Sequence, residues 1–147
     1  MKDAFGGIVN IVLVAIFLVI ISGILGLIVN YTKAFRMKNT VISTVEEYEG
    51  ACGCFSNTGS NGCREKIEEK AKSFGYHPTE LHCPSDYTEG YGLFCYKQVE
   101  SDSKNNYIYT VITQVDINIP IINKMMGLSI FQVHGDTRAI KKIVCSR

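Results

Sequence analysis

The sequence predicts an α+β fold: a long N-terminal helix packed on a small, disulfide-bonded antiparallel sheet of about four strands. Three observations carry this expectation. Residues 8–29 form an apolar run without a charge, residues 30–49 continue it with helical periodicity, and the last third of the chain alternates apolar and polar residues. The chain accordingly divides into a short polar N-terminus or leader at 1–7, a transmembrane helix at 8–29, an amphipathic continuation at 30–49, and a cysteine-containing domain at 50–147.

The apolar run reads IVNIVLVAIFLVIISGILGLIV, with Asn10 and Ser22 its clearly polar residues. At ~1.5 Å per residue its 22 positions span roughly 33 Å, enough to cross a hydrocarbon core of ~30 Å. A domain of roughly a hundred residues is too small to bury a helix that is apolar all round. The run exceeds the ~7–15 residues of a signal-peptide core, and Asn30-Tyr31-Thr32-Lys33 after it offers no small-x-small cleavage site. A retained membrane helix is the better reading. Its orientation is contested. Lys33, Arg36 and Lys38 outnumber Lys2 and would place the C-terminal side in the cytoplasm, whereas six cysteines confined to that side favour an oxidising compartment. We weight the cysteines more heavily.

Beyond residue 30, Ala34, Met37, Val41, Val45 and Tyr48 recur at spacings of three and four, with Phe35 and Ile42 widening the stripe. One helix of roughly 45 residues is expected, stopping near Gly50, with a break near Glu46 conceivable because Glu46, Glu47 and Glu49 sit at the wrong end of the helix dipole. Residues 51–62 are rich in Gly, Ser and Asn and read as a loop. Residues 64–74 suit a short helix with Ile67, Ala71 and Phe74 on one face, Glu68 paired with Lys72, and Gly75 as its stop. Residues 76–92 carry two prolines and two glycines and read as irregular. Residues 93–99 and 107–119 are expected to pair as strands, the second turning Tyr107, Tyr109, Val111 and Val115 one way and Thr110, Gln114 and Asp116 the other. Residues 128–134 and 137–144 are expected to form a final hairpin around Gly135-Asp136.

Net charge is +1 without a basic or acidic block, which argues against nucleic acid as a partner. Cys52, Cys54, Cys63, Cys83, Cys95 and Cys145 are disulfide candidates, and six cysteines allow 15 pairings. Cys52 and Cys54 are too close in sequence to pair without strain. Cys145, two residues from the end, is suited to staple the last strand. A zinc site using His77 or His82 with these cysteines is the lesser alternative, because structural zinc usually draws on two closely spaced ligand pairs and Cys52-x-Cys54 is the one short pair here. Neither histidine stands at catalytic spacing from a nucleophile, and no phosphate loop, dinucleotide fingerprint or zinc-protease motif is present. The chain therefore reads as non-enzymatic and without a cofactor. Ser22, Gly23 and Gly26 form a small-xxx-small pattern that lets helix backbones approach, and Asn10 seeks a polar partner inside an apolar layer.

An apolar helix that runs on as an amphipathic spine into a small disulfide-bonded sheet resembles the pilins and pseudopilins of type IV-like systems. The closest likeness is to the bacterial TadE-like minor pilins of tight-adherence systems. There an alternating strand (here 107–119), a connector (120–127) and a final Gly-x-Thr-Arg stretch (Gly135-Asp136-Thr137-Arg138) follow in the same order. The resemblance implies a non-enzymatic subunit of a cell-surface filament or secretion system. Its partners would be the membrane, other pilin-like subunits and an inner-membrane assembly machinery. It also implies a leader ending at a small residue, for which Gly6 or Gly7 would serve. That family carries a glutamate five positions into the mature helix, and this chain departs from it with Ile11 or Val12 there. The alternative is a single-pass, membrane-anchored extracytoplasmic binding protein that never enters a filament; a cytosol-facing zinc protein ranks third.

Overall fold

The computed structural model describes residues 2–48, 54–55, 61–100, 106–116 and 130–141. Helix α1 (Lys2–Glu47) is a single uninterrupted rod of 46 residues, about 69 Å long at ~1.5 Å per residue. Helix α2 (Asn61–Phe74) follows. A sheet then runs in the order β1 (Thr88–Gly90), β2 (Phe94–Glu100), β3 (Asn106–Asp116) and β4 (Ile130–Asp136), all antiparallel, with β5 (Ile140–Lys141) also paired to β3. This is the α+β arrangement the sequence predicts.

The second half of α1 is the spine of the domain. Ala34, Met37, Val41 and Val45 of the expected stripe are fully buried, together with Thr44. They face Tyr109, Val111, Thr113 and Val115 of β3, and Thr113 Oγ1 donates to the Ala34 carbonyl at 3.0 Å. Phe35 does not join the stripe: it stays exposed on the flank, where the Lys38 ammonium lies 4.3 Å from its ring centroid. The helix runs through Glu46 and ends at Glu47, close to the break considered there; Gly50, the expected stop, lies outside the described residues. Lys66 Nζ reaches Glu47 Oε2 at 2.5 Å, and Arg138 binds Glu46 through its backbone N–H at 2.8 Å and its Nε and Nη2 at 3.1 and 2.9 Å. Glu46 and Glu47, at the unfavourable dipole end, thus each have their own cation, while Glu49 lies outside the described residues. The Arg138 hydrogen bonds hold the Glu46 carboxyl below the usual carboxylate range.

Helix α2 begins at Asn61, inside the stretch read as loop, and buries Cys63, Ile67 and Ala71 against α1. Glu68 pairs with Arg64 one turn earlier, at 2.6 Å, instead of with Lys72. Gly75 ends the helix as expected: it adopts φ 61°, its N–H bonds the Lys72 carbonyl, and the Tyr76 N–H bonds that of Ala71, the 5→2 and 6→1 pair of a Schellman cap.

Three parts of the sheet differ from the sequence reading. The segment 76–92 contains β1, which forms a tight hairpin with β2 across Tyr91-Gly92, both at positive φ (56° and 71°), the type I′ pattern that matches strand twist. Gly135 and Asp136 do not form a hairpin turn. They belong to β4, opposite Val111 and Thr110, and β5 continues along the same edge of β3 after a three-residue interruption. Thr137 bridges that gap: its N–H donates to the Tyr109 carbonyl and its Oγ1 accepts from the Tyr109 N–H, both at 3.0 Å. The supposedly solvent-facing side of β3 is also covered, with Ile112 fully buried and Gln114 1 % exposed. The segment 76–87 folds over that face. Gln114 Oε1 accepts from the His82 N–H at 3.0 Å while its Nε2 donates to the His82 carbonyl, and Cys83 is bonded to Cys95 of β2. The expected positions 117–119, 128–129 and 142–144 of the strands lie outside the described residues.

Candidate functional site

Two regions of α1 present chemistry that the domain does not consume: the apolar half itself and the rim where it enters the domain. Every residue from 7 to 22 is exposed, and the large apolar side chains from Ile8 to Val29 are exposed on all sides apart from the half-buried Leu27. Helix α1 is long and apolar enough to cross a membrane. Among the described residues nothing covers it, and an apolar surface of this extent suits an apolar phase or other apolar helices.

The proposed packing residues are distributed unevenly around the rod. Gly23 and Gly26 share an i, i+3/i+4 row with Asn30, Ala34, Met37 and Val41, so the small residues lie directly below the face that holds the domain. A Cβ built on either glycine meets no atom within 4 Å, as does one on Gly7. Ser22 turns its hydroxyl inward to the Val19 carbonyl at 2.9 Å, leaving a small apolar profile. Asn10, twelve residues before Ser22 and about 18 Å along the axis, sits on the opposite face. The structure thus brings Ser22, Gly23 and Gly26 together and leaves Asn10 apart. Gly6 and Gly7 lie within the helix.

Of the six cysteines, Cys54 is bonded to Cys63 and Cys83 to Cys95; Cys52 and Cys145 lie outside the described residues. The first bond ties the chain just beyond α1 to the start of α2, the second ties the covering segment to β2. Among the described residues, no three His, Cys, Asp or Glu side chains group as metal ligands. His82 is engaged through its backbone with Gln114, and its Nε2 lies 3.9 Å from Glu80.

Two features have no counterpart in the sequence reading. At the edge of the domain nearest the apolar half of α1, Tyr31 lies 6.3 Å from Phe35 and 6.2 Å from Phe131, and all three are exposed. Tyr31, two residues past the apolar run, carries a readable signal for an interfacial aromatic; Phe131, a hundred residues on, does not. At the far end, Phe55, Tyr91, Phe94, Tyr96 and Tyr109 form a ring cluster between the Cys54–Cys63 bridge and the sheet, with Phe55 stacked on Tyr96 at 4.0 Å and the Tyr91 hydroxyl donating to the Cys54 carbonyl. Burial there raises the Tyr91 and Tyr96 hydroxyl pKa. No protein-family model, no curated protein and no solved structure matches this chain.

Proposed function

We propose that this protein is a non-enzymatic, pilin-like subunit that assembles through its N-terminal helix, with the disulfide-bonded domain on the outer side of the membrane. The observation that carries the reading is the continuity of α1: one rod is bare and apolar for its first half and forms the spine of the domain for its second. A simple anchor needs no rigid connection between membrane span and domain. A subunit that must pass from bilayer into a helical bundle does, because the bundle then fixes where each domain sits. The open profile at Ser22, Gly23 and Gly26 supplies a seam for close backbone approach. Two disulfides in a small domain support the oxidising side.

The test combines imaging with cross-linking. A Ser22→Cys variant, oxidised in native membranes, is expected to form dimers through residue 22, and the chain is expected in sheared surface filaments labelled by antibody. A chain that stays in the membrane fraction, without cross-links and without filaments, overturns the reading in favour of the anchored binding protein.

A further inference from the structure

At the foot of the domain a cavity of about 180 Å³ opens between α1, the turn after α2 and the end of β3. Its polar lining includes Asn30, Lys33, His77, Thr79 and the Gln114–Val115 end of β3, with no carboxylate among the described residues that line it. Lys33 is half-buried and its Nζ lies beside the Gly75 cap, 3.6 Å from where a Cβ would stand. The ammonium thus stands at the cavity wall beside the last turn of α2, whose partial negative charge favours a cation there. The volume is several times the ~30 Å³ of one water, room for a tetrahedral oxyanion with its hydration.

The height of the cavity narrows the ligand. If residues 8–29 fill the hydrocarbon layer, Asn30 and Lys33 fall in the first turn above it, at the depth of lipid phosphates. The exposed Tyr31, Phe35 and Phe131 stand on the other flank of α1 at the same level, where aromatic rings settle at a membrane interface. We propose that this cavity binds a phosphate group bearing net negative charge, with Lys33 as the point charge and Asn30, His77 and Thr79 as surrounding polar groups. In the bilayer its source is the headgroup of an anionic phospholipid. The inference depends on the membrane seating of α1 and not on filament assembly, so it stands or falls independently of the assembly test.

The full chain in nanodiscs of equal phosphatidylglycerol and phosphatidylcholine, released and weighed by native mass spectrometry, tests this directly. The expected result is several-fold enrichment of bound phosphatidylglycerol over its bilayer ratio, lost in Lys33→Gln, kept in Lys33→Arg, and kept in Lys38→Gln, whose charge lies about 7.5 Å further along α1 and outside the cavity. A second arm titrates inorganic phosphate against chloride in neutral detergent and follows the amide signals of residues 30, 33, 77 and 79. Saturable, Lys33-dependent shifts without lipid enrichment assign the phosphate to a soluble donor. Equal loss in Lys33→Gln and Lys38→Gln, or no response in either arm with the circular dichroism of Lys33→Gln unchanged, overturns the proposal.

Discussion

Gly90 and Gly135 occupy places where a side chain would collide, and each collision tests a different contact. At Gly135 a Cβ would lie 2.7 Å from Lys38 Cδ and 2.8 Å from Ile42 Cδ1, so this glycine lets β4 press against α1. Both obstructing atoms are tips of side chains that can swing, and Gly135→Ala is expected to cost about 1 kcal/mol. At Gly90 the Cβ would overlap the ring of Phe94, its partner across the β1–β2 pair and fully buried. That ring has no free direction, so Gly90→Ala is expected to cost about 3 kcal/mol. Urea unfolding in micelles, read by tyrosine fluorescence, ranks the two; a larger loss at Gly135 would contradict the packing described.

Glu46 belongs to the same scale. Arg138 lowers its pKa in the folded protein, so the folded state binds fewer protons than the unfolded state as the carboxyl titrates. The stabilisation is complete above the ordinary carboxylate range, near pH 4.3, and is lost as pH falls through the depressed folded value. Wild-type protein should therefore melt above Glu46→Gln at neutral pH, with the two Tm curves converging as pH falls below 4.3. Parallel curves down to the lowest pH would remove the role assigned to the Glu46–Arg138 contact.

Among the elements, the segment 76–87 does the least expected work. Without regular structure it covers the second face of β3, and three devices hold it there: Tyr76 Oη bonded to both backbone groups of Gln114 at 3.0 Å, the Gln114 side chain bonded to both backbone groups of His82, and Cys83–Cys95. Gln114 lies two residues beyond Ile112, the last β3 position paired with β2, so Tyr76 satisfies an edge that would otherwise be buried and unpaired. Replacing Cys83 and Cys95 together by Ser removes the staple. The double variant is expected to lose about 3 kcal/mol and to exchange the His82 amide proton orders of magnitude faster, while amides of β3 facing β4 remain protected. Uniform loss of protection would mean that the segment is not a separable cover.

This segment also marks where the sequence stops being informative. Period and composition locate α1, α2, β2 and β3 because each has a face whose alternation or three-and-four spacing is local. The cover over β3 is not local: Gln114 reads as outward-facing in an alternating strand, and its partner His82 is 32 residues away. Gly135 failed in the same way. Gly-Asp is a turn dipeptide by composition, but here it serves close approach to α1, a demand set by Lys38 and Ile42 nearly a hundred residues earlier. Of the candidate surface, Ser22, Gly23 and Gly26 were legible as a small-residue pattern, whereas the rim depends on bringing Asn30 and Lys33 beside residues 75–79 and 114–115.

At the scale of the whole molecule, the question is whether α1 transmits position or merely holds the domain near a membrane. Thr32 lies between the apolar half and the first buried contact, Ala34, so a break there separates the two roles. Thr32→Pro removes the N–H that would bond the Ile28 carbonyl and sets the proline ring against that carbonyl, at a cost of about 3 kcal/mol within the helix. The helix is free to kink at this point while Ala34 through Val45 keep their partners on the sheet. The domain should retain its disulfides and its denaturation midpoint, and the chain should remain in the membrane fraction. On the proposed assembly reading, filament yield, and cross-linking through Ser22→Cys in the same background, should collapse, because a kinked rod cannot hold helix seam and domain in fixed register. If Thr32→Pro assembles as well as wild type, rigidity of α1 is irrelevant and its length is explained by anchoring alone.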